Sequence, residues 1–394
     1  MSELNASNLR KEQGNEGPDV VVLTELTSPY FMVPPSGTTA QRPQNPQSGT
    51  LRFNTDIGSL EYFKGDTLGW ETIVKTTPNL GGAPGADHGI SNTGTGARGL
   101  FNGGYRASPA NLQNNIDWIT IPTLGNASDF GNTLDPIKGQ GCTGSRTRLA
   151  MFGGNSPGGY QDNVTYVTFA STGDAIDTGD LVTACMNTAM GNQIRGIISG
   201  ASPYTNTMEY TTLATLGDTK DYGDLTTVRG YAASCASTTR GLIGGGINNP
   251  SSPSINVIDY VTIMTTGNAV DYGDLGSVST AYETTAFSNA TRGFFAAGYR
   301  NNYSNSISYV TIATLGNTTE FGDLTNMNGT GKYSCSSPTR GVIAGGYYAP
   351  ATPYSNTMEY ITLQTLGNGT EFGDMTNEIR SLTDGGGSNA HGGL

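Results

Sequence analysis

The sequence predicts an all-β protein whose main part is a six-bladed β-propeller, preceded by a small N-terminal β-strand module. Three observations support this prediction: one phrase recurs six times, glycine is abundant, and charged residues are few. The chain has 57 glycines among 394 residues, and 13% of its residues are charged. This composition is typical of many short strands joined by glycine turns, and not of a disordered chain.

The recurring phrase is an aromatic residue, a β-branched or polar residue, Thr and an apolar residue, followed by a short spacer and Thr-x-Gly. It reads YVTIATLGN from Tyr309 and YITLQTLGN from Tyr360. Its glycines are Gly125, Gly173, Gly217, Gly267, Gly316 and Gly367, which lie 48, 44, 50, 49 and 51 residues apart. A unit repeated at such a period predicts a propeller or a similar array of supersecondary units.

Each copy contains four pieces of strand length, as a four-stranded propeller blade requires. In the fifth copy we expect strands at 281–288, 293–298, 307–313 and 319–324. The third piece alternates along its length, so it presents usable surface on both faces, as a strand between two neighbouring blades must. The tail after Asp374 resembles the first part of a further repeat. We expect residues 379–394 to pair with the first blade and close the ring.

One arginine recurs in every copy, directly before the apolar piece. The six are Arg98, Arg148, Arg195, Arg240, Arg292 and Arg340. Their planar donor groups are expected to bond to carboxylates or carbonyls between blades. The alternative is a ring of arginines that binds anions.

A short acidic piece follows each Thr-x-Gly turn, as in DYGD at Asp221 and at Asp271. Carboxylates on both sides of one glycine could supply oxygen ligands to calcium, which makes Asp221, Asp224, Asp271 and Asp274 weak calcium candidates. The favoured interpretation is architectural, because six equivalent copies suit a turn fixed by backbone hydrogen bonds. No pair is singled out as the two carboxylates of a glycosidase.

Other chemistries find little support in the sequence. The net charge of −12 is the wrong sign for a nucleic-acid surface. Only His88 and His391 could serve a Ser-His-Asp arrangement, and no phosphate-binding loop is present. A G-x-S-x-G string occurs at 154–158, where it runs from the paired glycines into a polar loop and not into a strand-to-helix elbow. We therefore predict no enzyme, no cofactor and no firm metal site. The cysteines, Cys142, Cys185, Cys235 and Cys335, are expected to be free thiols in different blades.

The polar hairpins before the aromatic strands are the predicted contact surface. They are loops at 108–115, 156–163, 248–256, 299–306 and 347–356, rich in Tyr, Asn, Ser and Pro. Such residues suit stacking and adaptable hydrogen bonds to carbohydrate or protein. The alternative is that these loops are plain solvated connections.

The N-terminal part is predicted to consist of an arm at 1–33 and a Pro-containing linker with a small β module at 34–77; the propeller follows at 78–394. Strands are expected at 51–54, 59–63 and 70–74. Neither a secretory signal nor a membrane-inserted segment is expected, since the start is polar and its apolar runs are short.

The repeat resembles the kelch family. ARGLFNGGY from Ala97 and TRGVIAGGY from Thr339 carry the apolar run that ends in paired glycines. The resemblance covers about 81–394 and implies a kelch-like propeller. It departs from many kelch repeats in having Phe or Tyr where they have Trp.

Two further stretches resemble structural proteins of tailed phages. RPQNPQSGTLRFNT from Arg42 and LEYFKGD from Leu60 are similar to a small module of tail-fibre and other virion proteins. The phrase YVTI-x-T-x-GN resembles repeats in phages that infect marine cyanobacteria.

The phage resemblance implies a non-enzymatic virion protein, made in the host cytoplasm and carried on the tail or capsid surface. Residues 1–77 would bind other virion proteins, the propeller would contact a host-surface glycan or protein, and the chain would be a homo-oligomer, a trimer by analogy with phage fibres. The alternatives are a capsid decoration protein, and a propeller enzyme or lectin that acts on host polysaccharide.

Overall fold

The structure, a computed structural model, describes residues 34–57, 59–67, 69–72, 97–107, 110–249, 254–276, 282–299, 303–325, 329–348, 354–383 and 385–394. The chain divides into two compact units, Met1–Thr76 and Thr77–Leu394. The predicted arm and His88 lie outside the described residues. The described residues contain no helix with the length and apolar character that a membrane span needs.

The first unit contains a four-stranded mixed sheet. Its strands are Ser36–Gly37, Leu51–Asn54, Ser59–Phe63 and Trp70–Thr72, with a short 3-10 helix at Thr39–Gln41. The first strand runs parallel to the second, and the other pairs are antiparallel. The two strands predicted at 51–54 and 59–63 form with those bounds. The third, predicted at 70–74, is present over Trp70–Thr72, and residues 73 and 74 lie outside the described residues.

A buried ion cluster holds this sheet together on one face. Arg52 and Glu61 lie opposite each other across the antiparallel pair, and Nη1 of Arg52 is 3.2 Å from Oε1 of Glu61. Arg42 reaches the same carboxylate at 2.5 Å, and Asn54 donates to it at 3.1 Å. The hydrogen bond from Arg42 lowers the pKa of Glu61 more than its burial raises it. A charge in the interior is stable only with such full pairing.

The second unit contains six antiparallel sheets in chain order, named here sheet 1 to sheet 6. Each has four strand positions, called first to fourth along the sheet. Sheet 1 comprises Arg98–Ala107, Ala110–Thr120 and Ser128–Asn132 as its second, third and fourth strands. Sheet 2 comprises Gly141–Gly144, Arg148–Ser156, Gly159–Thr168 and Ile176–Asp180. Sheet 3 comprises Met186–Gly191, Arg195–Ser202, Thr205–Thr212 and Lys220–Arg229.

The remaining sheets repeat this order. Sheet 4 comprises Ala233–Ala236, Arg240–Gly244, Val257–Thr262 and Val270–Asp274. Sheet 5 comprises Thr285–Ser288, Arg292–Tyr299, Tyr303–Thr311 and Thr319–Asp323. Sheet 6 comprises Tyr333–Ser336, Arg340–Ala344, Thr357–Thr362 and Thr370–Asp374. A two-stranded ladder joins Gly329–Thr330 to Tyr347–Tyr348.

The first strand position of sheet 1 is filled from the C-terminal part of the chain. Ile379–Arg380 and Gly386–Ser388 both pair antiparallel with Arg98–Ala107. The expected pairing of the tail with the first sheet is therefore confirmed. Ile379 and Ala390 are buried in the same apolar cluster as Phe101.

Each apolar core lies between two neighbouring sheets. Leu242 and Ile258 of sheet 4 pack with Phe295 and Val310 of sheet 5. Both faces of each interior strand are therefore covered, which explains why the second strands are apolar without alternation. The four cysteines lie in the described residues, where they are buried and form no disulfide.

Several hairpins are longer and their loops shorter than the sequence predicts. In sheet 5 the second and third strands run to Tyr299 and from Tyr303, where the sequence predicts a loop at 299–306. Strands likewise occupy part of the predicted loops at 108–115 and 156–163. Backbone pairing continues through these polar residues because a ladder needs only N–H and C=O groups, whatever side chains the strands carry.

Candidate functional site

The six recurring arginines join neighbouring sheets. Arg240 lies with its Cζ 4.4 Å from the ring centre of Tyr260 in its own sheet, and its Nη1 donates to the Ile312 carbonyl of the next sheet at 2.8 Å. The acceptor carbonyls for Arg98, Arg148, Arg195, Arg240, Arg292 and Arg340 belong to Phe169, Ala214, Ile263, Ile312, Leu363 and Ile121. A stacked guanidinium with an occupied donor is poorly placed to bind an external anion.

The acidic pieces are held by the turn of the next sheet. The backbone N–H of Asp224 donates to Oδ1 of Asn268 at 3.1 Å, and that of Asp274 donates to Oδ1 of Asn317 at 2.9 Å. Asp271 accepts the N–H of Gly273 in its own turn at 3.2 Å. Asp221 is exposed. Among the described residues, no group of three or more His, Cys, Asp or Glu side chains could hold a metal ion.

Four buried acids form a second set of links that the sequence analysis did not single out. Each precedes the aromatic residue of a third strand: Asp117, Glu209, Asp259 and Glu359. Asp259 accepts from the backbone and hydroxyl of Thr226 in the preceding sheet and pairs with fully buried Arg229 at 3.0 Å. These carboxylates bind groups of the protein itself, so no two of them form a matched catalytic pair.

The first strands line a narrow central cavity of about 50 Å³. Ser288, Ser336 and Ser388 each donate to a backbone carbonyl of the neighbouring first strand. Nε2 of His391 lies 2.7 Å from the Gly144 carbonyl oxygen, and burial lowers the pKa of this imidazole. His391 is thus a contact between the tail and sheet 2.

A row of tyrosines lies where the second strand turns into the third, at the end of the sheets opposite to the recurring arginines. Ring contacts run from Tyr282 through Tyr299, Tyr303, Tyr347 and Tyr354 to Tyr105, with centroids 4.9 to 6.0 Å apart. We call this set, together with Tyr160, Tyr204 and Tyr231, the tyrosine belt. Its members are half-buried except Tyr160, which is exposed. The six rings of this run, and the pair Tyr204 and Tyr231, are therefore each held by an aromatic neighbour while part of their surface faces solvent.

Two cations and one acid lie against this belt. Nζ of Lys138 is 5.4 Å from the Tyr105 ring centre, and Cζ of Arg380 is 5.8 and 5.5 Å from those of Tyr347 and Tyr354. Glu283 is close enough to both cations for their charges to lower its pKa, although its burial has the larger, opposite effect and raises it. We call Lys138, Glu283 and Arg380 the charged triad.

The triad is incompletely satisfied by the protein. Among the ion pairs of the described residues, none includes Lys138 or Arg380. Nε of Arg380 and Oγ1 of Thr284 are buried without a hydrogen-bond partner. Buried polar atoms of this kind are uncommon and call for an explanation, such as an absent ligand.

Backbone strain marks the same end of the sheets. Tyr231 and Glu283 have φ of 56° and 52°, in the left-handed region, directly before the first strands of sheets 4 and 5. The equivalent positions before sheets 2 and 6 are Gly139 and Gly331, with φ of 69° and 65°. A tyrosine and a glutamate therefore occupy positions where glycine costs less, which is a feature of functional sites.

A separate recess of about 160 Å³ lies beside Tyr204, between sheet 3 and the connection that leads into its first strand. Its lining includes Cys185, Ile198, Pro203 and Ser199, whose buried hydroxyl has no hydrogen-bond partner. Burial raises the pKa of the Cys185 thiol to about 12, so this sulfur is a packing group and not a nucleophile.

The sequence analysis found only part of the belt. The predicted loops contain Tyr160, Tyr299, Tyr303, Tyr347 and Tyr354. They do not include Tyr105, nor the variable stretches that carry Tyr231 and Lys138. The missing signal is topological. In a four-stranded antiparallel sheet, the hairpin between strands two and three and the connection to the next sheet emerge at the same end.

Comparison with known proteins adds no relative. No protein-family model matches the chain, and no curated protein matches it.

Proposed function

We propose that this chain is a non-enzymatic virion structural protein of a tailed phage, a tail fibre or tail-associated adhesin. In this proposal the second unit is a closed, six-bladed, kelch-like propeller that displays the tyrosine belt toward the host surface. Residues 1–77 attach the protein to the particle. The phage setting rests on the resemblance of the sequence, and the adhesive role rests on the belt.

Contacts between sheets 6 and 1 support the closed propeller. The Ala127 N–H donates to the Asp374 carbonyl at 2.8 Å, as the Ala269 N–H of sheet 4 donates to the Asp224 carbonyl of sheet 3. Arg340 bonds to the Ile121 carbonyl as the other arginines bond to their next sheets. The same link between each pair of neighbours, including the last and first, is the pattern expected of a ring.

The observation that carries the adhesive role is the tyrosine belt. Tyrosine offers a rigid apolar ring and a polar hydroxyl, and it loses little conformational entropy on binding. Nine such residues concentrate at one end of the sheets, while the arginines and Thr-x-Gly turns lie at the other. Six of the rings form one run of contacts, and Tyr204 and Tyr231 form a separate pair. Partly exposed aromatic surface of this kind is typical of a contact site for carbohydrate or protein.

The proposal is tested on cells and on particles. The fluorescently labelled full chain should bind cyanobacterial host cells in flow cytometry, and Tyr303→Ala with Tyr354→Ala should abolish most of the binding. The matched control is Leu315→Ala, a 59% exposed residue of sheet 5 at the other end of the sheet. Equal binding by the belt variant and the control would contradict the adhesive role.

Virion membership has its own test. Cryo-electron microscopy of purified virions should show the chain with its N-terminal unit on the tail or capsid and the propeller exposed. Its absence from the particle would overturn the virion assignment. Release of soluble sugar from host polysaccharide by the purified chain would instead favour the enzymatic alternative.

A further inference from the structure

We propose that the charged triad and its tyrosines form a binding site for a carboxylated sugar ring, such as a uronate unit of an acidic polysaccharide. The inference deepens the adhesive function proposed above by naming its ligand class. It concerns Lys138, Arg380 and the rings of Tyr105, Tyr347 and Tyr354.

The first argument is charge. The chain has a net charge of −12, and its recurring arginines are occupied between sheets. Lys138 and Arg380 nevertheless lie close enough for Arg380 to lower the pKa of Lys138, although burial is the larger cause. Two basic groups of the triad face one acid, Glu283, and burial raises the pKa of that acid. A ligand carboxylate would offset this excess of basic groups.

The second argument is geometry. Arg380 lies beside two tyrosine rings that contact each other, and its buried Nε lacks a hydrogen-bond acceptor. The planar guanidinium donates two parallel hydrogen bonds to a carboxylate better than any other side chain.

The third argument selects a sugar over an acidic peptide. Tyr105 and Tyr354 meet edge to face at 5.9 Å, and both are half-buried, so their free faces are preset before binding. Such faces stack on the C–H side of a pyranose ring, while their hydroxyls meet its OH groups. An acidic peptide would pair with the cations but would have no sugar ring to stack on the tyrosines.

The test measures binding of the full chain to a defined uronate oligosaccharide by isothermal titration calorimetry. The comparison ligands are the same oligosaccharide with its carboxylates reduced to alcohols, and a poly-glutamate peptide of equal charge. We expect the reduced oligosaccharide and the peptide to bind about tenfold or more weakly than the uronate. A charge-assisted hydrogen bond of about 1.5–3 kcal/mol corresponds to roughly ten- to hundredfold.

The variants are Arg380→Gln and Lys138→Gln, with Lys220→Gln as the matched control because Lys220 is exposed and lies on the fourth strand of sheet 3. Each site variant should weaken uronate binding at least tenfold and leave the weak binding of the reduced ligand unchanged. A native circular dichroism spectrum and an unchanged melting temperature establish that a variant is folded. If one of the two site variants does not fold, the other still tests the inference.

Equal affinity for the uronate and its reduced form overturns the inference, as does the absence of uronate binding or preferential binding of the peptide. Cell adhesion that survives Arg380→Gln contradicts the inference and leaves the adhesive function standing. Uronate binding that depends on Arg380, without any cell adhesion, supports the inference about the ligand and contradicts the adhesive function.

Discussion

Two glycines of sheet 4 offer a direct measure of how tightly neighbouring sheets pack. Gly267 and Gly273 have nearly the same backbone conformation, with φ of +149° and +146°. A Cβ on Gly267 would meet nothing within 4 Å, whereas one on Gly273 would lie 2.5 Å from the Gly316 carbonyl oxygen of the next sheet. Alanine would therefore meet the same backbone strain at both positions. Only at 273 would its Cβ also lie too close to the neighbouring sheet.

The magnitudes follow from this difference. An alanine held at such a φ costs about 1–3 kcal/mol, which both variants pay. Ordinary contact begins near 3.4 Å, so the Cβ at 273 falls short by about 0.9 Å against backbone that cannot rotate away. Overpacking of this kind adds about 1–3 kcal/mol. We expect Gly273→Ala to be less stable than Gly267→Ala by that added amount.

The assay is equilibrium unfolding in urea, followed by tryptophan fluorescence and circular dichroism on the same samples. The comparison is between the two variants, so errors of extrapolation to water largely cancel. A difference below about 0.5 kcal/mol would refute the reasoning, because it would mean that sheets 4 and 5 separate at this point without cost.

Three further predictions concern a recurring arginine, a buried lysine and the C-terminal tail. Arg240→Met should lower the free energy of unfolding by about 1–3 kcal/mol through the lost charged hydrogen bond and ring contact, whereas Lys220→Met should change it by less than about 0.5, both measured in urea. Fully buried Lys332 has its pKa lowered from 10.5 to about 7 by burial, so the unfolded chain binds more protons between these values. Stability should therefore rise with pH from about 7 to 10.5, and Lys332→Met should flatten that rise in melts across this range; an identical pH profile would contradict it. Deletion of residues 379–394 should lower the free energy of unfolding by about 5 kcal/mol or more, as buried side chains and a strand pairing are lost, and an unchanged calorimetric melt would speak against ring closure.

The sequence by itself determined the repeat and its strands. Period, glycine positions and the alternation around Tyr260 are local properties, and they sufficed to predict six four-stranded units and the pairing of the tail with the first. The recurrence of Arg240 and its equivalents indicated bonds between units, because a residue repeated once per unit has one structural environment. Hairpin ends were less predictable, since strand pairing continues through polar residues.

Only the tertiary structure decided which residues meet at one end of the sheets. Lys138, Glu283 and Arg380 lie far apart in the chain, in three stretches without a shared motif, and no local pattern connects them. Nor could the sequence tell that Glu283 takes a left-handed conformation where other copies have glycine, because that strain is imposed by the packing around it. The candidate site belongs to the connections between repeats, whereas the repeat pattern describes only what the copies have in common.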